Sequence, residues 1–158
     1  MKIAVISDSH YNENSIALIK QYLKDVDVLL HCGDGAPDIK HIETYFNGEI
    51  YAVRGNCDIT LEYPLERVIE IMGKRIFITH GHMYNVKNEY NTIFYKGKEV
   101  DANIVLFGHT HKAIITSYDN LNIMNPGSIS LPYGRDKRTI GFIELLEDKN
   151  IEMYLKEI

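Results

Sequence analysis

With 158 residues, 45% of them hydrophobic, the chain can bury one sizeable core, and it reads as a single domain over residues 1–158. A formal net charge of −5 excludes a general binder of duplex nucleic acid, which would need clustered Lys and Arg against the phosphates. No apolar run approaches the roughly 20 residues of a membrane span, Asp8 comes too early for a signal-peptide core, and two cysteines, Cys32 and Cys57, are too few for a disulfide framework. The expectation is a cytoplasmic protein with free thiols and no membrane contact.

In chain order, residues 3–6 form a short apolar run that reads as a buried strand and ends in Ser7-Asp8-Ser9-His10. Asn12 is placed to cap a helix whose apolar stripe is Ile16, Ile19 and Leu23. A second strand, residues 28–30, ends in His31-Cys32-Gly33-Asp34, and Pro37 then opens a helical pattern of Ile39, Ile42 and Phe46. A third, residues 50–53, ends in Arg54-Gly55-Asn56-Cys57-Asp58.

After residue 60 hairpins take over. Residues 67–72 and 75–79 flank Gly73-Lys74, and the second arm ends in Thr79-His80-Gly81-His82. A helix over residues 89–98 turns Tyr90, Ile93 and Phe94 inward, and a strand at 104–107 leads to Gly108-His109-Thr110-His111. Residues 113–118 pair with 121–124 across Asp119-Asn120, and 139–146 with 151–156 around residues 147–150. The sum is an α/β fold of two sheets packed face to face, the first largely parallel and the second rich in hairpins, with helices outside.

All five polar clusters follow apolar strands, at the carboxyl ends where α/β sheets gather ligands. Asp8 and His10, two apart, can converge on one cation, and a carboxylate with an imidazole suits Mn, Fe, Co, Ni or Zn better than Ca or Mg. Asp34 can bridge two ions. Asn56, His80, His109 and His111 add one oxygen and three nitrogens, so seven ligands with one shared make two four-ligand sites with positions left open. A glycine adjoins most of these residues.

These blocks resemble the calcineurin-like metallophosphoesterases, whose pattern runs Asp-x-His, Gly-Asp, Gly-Asn, His and Gly-His-x-His. Here it reads Asp8-Ser9-His10, Gly33-Asp34, Gly55-Asn56, His80 and Gly108-His109-Thr110-His111. The short length, Gly55-Asn56-Cys57-Asp58, Thr79-His80-Gly81-His82 and Asn125-Pro126-Gly127-Ser128 look like the small bacterial and archaeal phosphodiesterase branch, related to a eukaryotic retromer subunit. The resemblance implies a four-layer αββα sandwich of two mixed β-sheets flanked by helices. It implies one metal on Asp8, His10, Asp34 and His111 and another on Asp34, Asn56, His80 and His109, manganese foremost. It also implies hydrolysis of a small phosphodiester by in-line attack of a hydroxide bridging the two ions, with Asp34 and Asn56 at the reacting centre. His82 is a further candidate for a catalytic part, against the stronger reading that it supports the ligands from behind.

Many phosphatases of that family carry His where this chain has Cys57, and a thiol is a poor acid for the leaving group. Diesters with good leaving groups are therefore expected to turn over better than alkyl monoesters, unless His82 or the substrate supplies the proton. Asp58 is expected to orient an imidazole, His31 to be a satisfied core histidine, His41 to lie on the surface, and Cys32 and Cys57 to serve packing. The rival readings are a protein-interaction scaffold with a silent site, or a phosphomonoesterase on a small metabolite. Oligomeric state is left open, a homo-oligomer included.

Overall fold

A computed structural model describes residues 1–134, 136–147 and 150–158. The strands are β1 (Lys2–Ile6), β2 (Val28–His31), β3 (Glu49–Ala52), β4 (Glu66–Ile71), β5 (Lys74–Thr79), β6 (Ile104–Leu106), β7 (Ile114–Tyr118), β8 (Leu121–Asn125), β9 (Thr139–Leu145) and β10 (Ile151–Glu157). The α-helices are α1 (Glu13–Ile19), α2 (Ile39–Ile42) and α3 (Asn91–Glu99). Two five-stranded mixed sheets result, in the orders β10-β9-β1-β2-β3 and β4-β5-β6-β8-β7.

Strand alternation sorts the apolar side chains into three layers. In β1, Ile3 and Val5 face the middle of the molecule, where they join Leu30, Ile76, Ile78, Ile104 and Leu106 from both sheets. Ala4 and Ile6 face the other way, onto Ile16 and Ile19 of α1 and Ile39 and Ile42 of α2. On the far sheet Phe77 and Val105 point outward to meet Ile93 of α3. Strands buried on both faces explain why the sequence shows continuous apolar runs there instead of alternation. Asn12 caps α1 as its position suggests, its side-chain oxygen accepting from the Ser15 N–H at 3.0 Å.

Three details differ from the sequence expectation. The β9–β10 hairpin belongs to the first sheet, because β9 pairs antiparallel with β1 from Lys2↔Glu144 to Val5↔Gly141; local pattern cannot encode that long-range choice. Of its connection, residues 148 and 149 lie outside the described residues. The β4–β5 turn is Met72-Gly73, not Gly73-Lys74, since Ile71 pairs with Lys74 and both central residues have positive φ. The helix after Pro37 is brief, with a 3₁₀ turn over Ala36–Asp38 running into α2, although Phe46 is still buried. Among the described residues no helix is long and apolar enough to cross a membrane.

Candidate metal centre

The loops after β1, β2, β5 and β6 meet at the carboxyl ends of the two sheets, with the loop after β3 beside them. Asp8, His10, Asp34, His109 and His111 all take left-handed backbone conformations, with φ of 53°, 49°, 53°, 67° and 57°. Such conformations cost non-glycine residues of order 1 kcal/mol each and concentrate at functional sites. Close approach is enforced by two glycines: a Cβ on Gly55 would stand 2.0 Å from Asp34 Oδ1, and one on Gly108 would stand 1.9 Å from Ser7 Oγ and 2.7 Å from Asp8 Oδ2.

Each aspartate commits one oxygen to the backbone and keeps the other for the cluster. Asp8 Oδ2 accepts from the His109 N–H at 3.1 Å, and Asp34 Oδ1 accepts from the Cys57 N–H at 2.8 Å. The remaining oxygens face imidazoles: Asp8 Oδ1 lies 3.1 Å from His111 Nε2, and Asp34 Oδ2 lies 3.2 Å from His80 Nε2. His10 Nε2 stands 3.3 Å from His111 Nε2.

The histidine tautomers follow from their other nitrogens. His80 Nδ1–H donates to the Cys32 carbonyl at 2.8 Å, and His111 Nδ1–H donates to the Leu131 carbonyl. In the neutral ring this leaves the Nε2 lone pair of each aimed at a carboxylate oxygen. Opposed lone pairs at such distances repel unless a proton or a cation lies between them. Asp8 Oδ1 and His80 Nε2 are in fact buried without a hydrogen-bond partner.

The titration behaviour has the same origin. Burial raises the Asp34 pKa, but the contact with His80 and its charge outweigh it and hold the carboxyl well below the usual range. Burial lowers His80, and the contact with Asp34 and the charge of Asp8 overturn that and raise it. The contact with Asp8 raises His111. His109 is pushed down to about 4 by burial and by the charge of His80.

Three groups of donors each lie within 4.8 Å of one another: Asp8-His10-His111, Asp8-Asp34-His80 and His10-Asp34-Cys57. Five of the seven sequence-predicted ligands are thus drawn together, with Asp34 close to both His10 and His80. The His109 ring lies 5.1 Å from that of His80 and 6.2 Å from that of His82, on the rim of the cluster. Asn56 is exposed, its amide nitrogen 3.4 Å from Cys57 Sγ. The donor set, anionic oxygens with imidazoles stripped of other partners, fits divalent cations of the first transition row.

Two expectations fail here. Cys57 does not pack in the core; it is exposed, and the bond from its N–H to Asp34 holds its sulfur beside the cluster. Asp58 orients no imidazole. Its Oδ1 accepts from the N–H groups of Gly35 and Ala36 and from the Tyr11 hydroxyl, and its Oδ2 from those of Asp34 and Gly55. His31 is the satisfied core histidine it was expected to be, 3.0 Å from the Gly33 N–H and 3.1 Å from Ser9 Oγ. His41 is exposed.

Sequence reading also missed the supports. Ser128 Oγ–H donates to the Asp8 carbonyl at 2.7 Å, and Asn125 Nδ2 donates to the Gly108 carbonyl at 2.8 Å and to Thr110 Oγ1 at 3.0 Å. The Asn125-Pro126-Gly127-Ser128 turn was the only signal for them, and nothing in its composition says which loops it will tie.

The chain is 32% identical over 151 residues to the probable metallophosphoesterase YsnB of Bacillus subtilis, covering 94% of this chain and 86% of that protein. A Streptococcus pneumoniae TIGR4 protein described as a predicted phosphoesterase superposes with a TM-score of 0.84 at 29% identity, over 99% of this chain and 88% of that one. A structure described as a novel archaeal phosphodiesterase gives 0.78 at 27% identity, over 99% of this chain and 100% of that one. The family model for the calcineurin-like phosphoesterase superfamily domain matches residues 1–148, and the chain belongs to that family.

Proposed function

We propose that the protein is a metal-dependent phosphodiesterase with a two-ion centre. Asp8, His10, Asp34 and His111 would hold one ion, and Asp34, Asn56, His80 and His109 the other. The observation that carries this reading is the pair of carboxylate–imidazole contacts, Asp8 with His111 and Asp34 with His80, each bringing an oxygen and a nitrogen lone pair together around a gap suited to a cation. A scaffold would gain nothing from buried donors left in that state. Two divalent ions held there would lower the pKa of a bound water toward neutral and would offset charge growing on the phosphoryl oxygens.

The chain's own residues do the rest. Cys32 and Leu131 fix the rings of His80 and His111 through their carbonyls, so neither imidazole reorganises when substrate arrives. His82 lies beside His80 with ring centroids 5.4 Å apart, and burial together with the charge of His80 lowers its pKa. It is therefore neutral at pH 7 and can orient the leaving oxygen with its ring N–H. Cys57 is a weak acid, its thiol pushed up to about 11 by burial and by Asp34. With no strong proton donor at the rim, leaving groups that depart as stable anions are favoured.

Assays with manganese after chelation test the reading. Turnover of bis-p-nitrophenyl phosphate should exceed that of p-nitrophenyl phosphate by roughly tenfold or more, and Asp34→Ala should lower kcat/KM on the diester by at least about 100-fold, beyond what loss of a supporting residue costs. Faster monoester turnover, or an Asp34→Ala protein near the parental rate, would contradict it.

A further inference from the structure

Beside the cluster lies a cleft of about 650 Å³ whose walls include His109 and His111. Sites of roughly 300 to 1,000 Å³ hold molecules well beyond a lone phosphoryl group, so a substrate bound at the cluster has room to extend into it. The same walls carry Lys87, Lys112, Tyr90 and Tyr133 and, among the described residues, no carboxylate. That is unusual in a chain with 22 Asp and Glu against 17 Lys and Arg.

These two lysines are also unoccupied. Four others pair with carboxylates, as Lys40 does with Glu62 at 2.9 Å. Three more lie over aromatic rings. Among the described residues Lys87 and Lys112 have neither kind of partner. Both walls are anchored to the site. The Tyr90 ring packs on Phe107 at 5.5 Å, directly before the Gly108 loop, and the Tyr133 N–H donates to the His111 carbonyl at 3.1 Å while the ring itself is 62% exposed.

Two aromatic faces and two free ammonium groups in one cleft match a planar base and an extra anionic group. We infer that the cleft binds a nucleoside arm carrying a second phosphate, which makes the substrate a 5′-phosphorylated dinucleotide or a diester of that class, with the tyrosines against the base and Lys87 and Lys112 at the second phosphate. This rests on the phosphodiesterase reading above. Hydrolysis balances with one water: a new bond forms from its oxygen to the bridging phosphorus, one ester P–O bond breaks, and the proton that the water gives up ends on the departing ribose oxygen, giving two mononucleotides.

The test compares kcat/KM of the manganese-loaded protein on pApA, on the same dinucleotide without its 5′-phosphate, on glycerophosphocholine and on bis-p-nitrophenyl phosphate. pApA should be preferred at least about tenfold over the unphosphorylated dinucleotide, and in the double variant Lys87→Ala, Lys112→Ala that ratio should fall below about threefold. Equilibrium dialysis of ADP against the metal-free protein reads the cleft without catalysis, and the same double variant should weaken binding about tenfold. Equal use of the two dinucleotides, better use of glycerophosphocholine, or ADP binding that is absent or indifferent to the lysines would overturn the inference. Failure on every diester with lysine-dependent ADP binding intact would instead sink the phosphodiesterase reading and leave the cleft a nucleotide site.

Discussion

Asp58 holds three loops in register with one buried carboxylate that accepts four backbone N–H groups and a tyrosine hydroxyl. Hydrogen bonds to a charged acceptor contribute more than neutral ones, and removing the charge leaves at least one donor facing an NH₂ group. Asp58→Asn should therefore destabilise the metal-free protein by about 2 to 4 kcal/mol in urea titration, with Tyr11→Phe costing about 1 kcal/mol; a change under half of the first figure would show that the loops hold their register without it. His31 acts through its neutral form. Its Nδ1 accepts from Gly33, so its Nε2–H must donate to Ser9, and burial lowers its pKa against the opposing charges of Asp58 and Asp38. The folded state thus binds fewer protons than the unfolded chain at acid pH, and this contribution is complete above about pH 6.5 and is lost as pH falls below it. Between pH 7 and 5 the wild type should lose stability more steeply than His31→Gln, measured as urea midpoints; parallel profiles would rule the mechanism out.

Among the elements, the β4–β5 turn carries an avoidable cost. Met72 holds a φ of 50° and Gly73 one of 70°, the two left-handed positions of a hairpin turn in which Asn-Gly is preferred. Met72 is also 47% exposed, so replacing it removes little packing. Met72→Asn should raise stability by about 0.5 to 1 kcal/mol, read from thermal melts; a loss would mean that the Met72 side chain contributes more than its exposure suggests. That turn also marks the limit of reading elements from sequence. Apolar runs located the strands of both inner layers because burial on two faces leaves few other residue types. Turn register was off by one, since Met at a left-handed position violates the residue preferences on which turn reading depends. The sheet membership of β9 and β10 was hidden for a different reason: it is decided by pairing with β1, more than 130 residues away in the chain. The five candidate donors that the fold draws together were legible because a metal site restricts its donors to a few residue types, Asp and His among them. Their supports were not, since a carbonyl such as that of Cys32 can come from any residue.

In the whole molecule the cluster is a clasp between sheets. Asp8 and Asp34 follow strands of the first sheet, while His80, His109 and His111 follow strands of the second. An ion bound among them would tie the two layers together at one end of the central core, and a ligand that binds only the folded state stabilises it by mass action. At a free manganese concentration 100 times the dissociation constant, one site adds about 2.7 kcal/mol, or roughly 5 to 11 °C in Tm for a domain of this length. The same arrangement fixes the pH dependence. Contacts with Asp34 and Asp8 raise the pKa of His80 against the effect of burial, and the contact with Asp8 raises that of His111, so in the metal-free protein both rings keep protons to higher pH than an ordinary histidine. Manganese requires both to be neutral, so binding must displace protons and is stronger where fewer are bound. The manganese-induced rise in Tm should accordingly be larger at pH 8 than at pH 6, and Asp34→Ala, which removes the residue proposed to serve both ions, should abolish most of it at both. A rise that is equal at the two pH values, or that survives Asp34→Ala, would mean that the ion sits somewhere other than between the sheets.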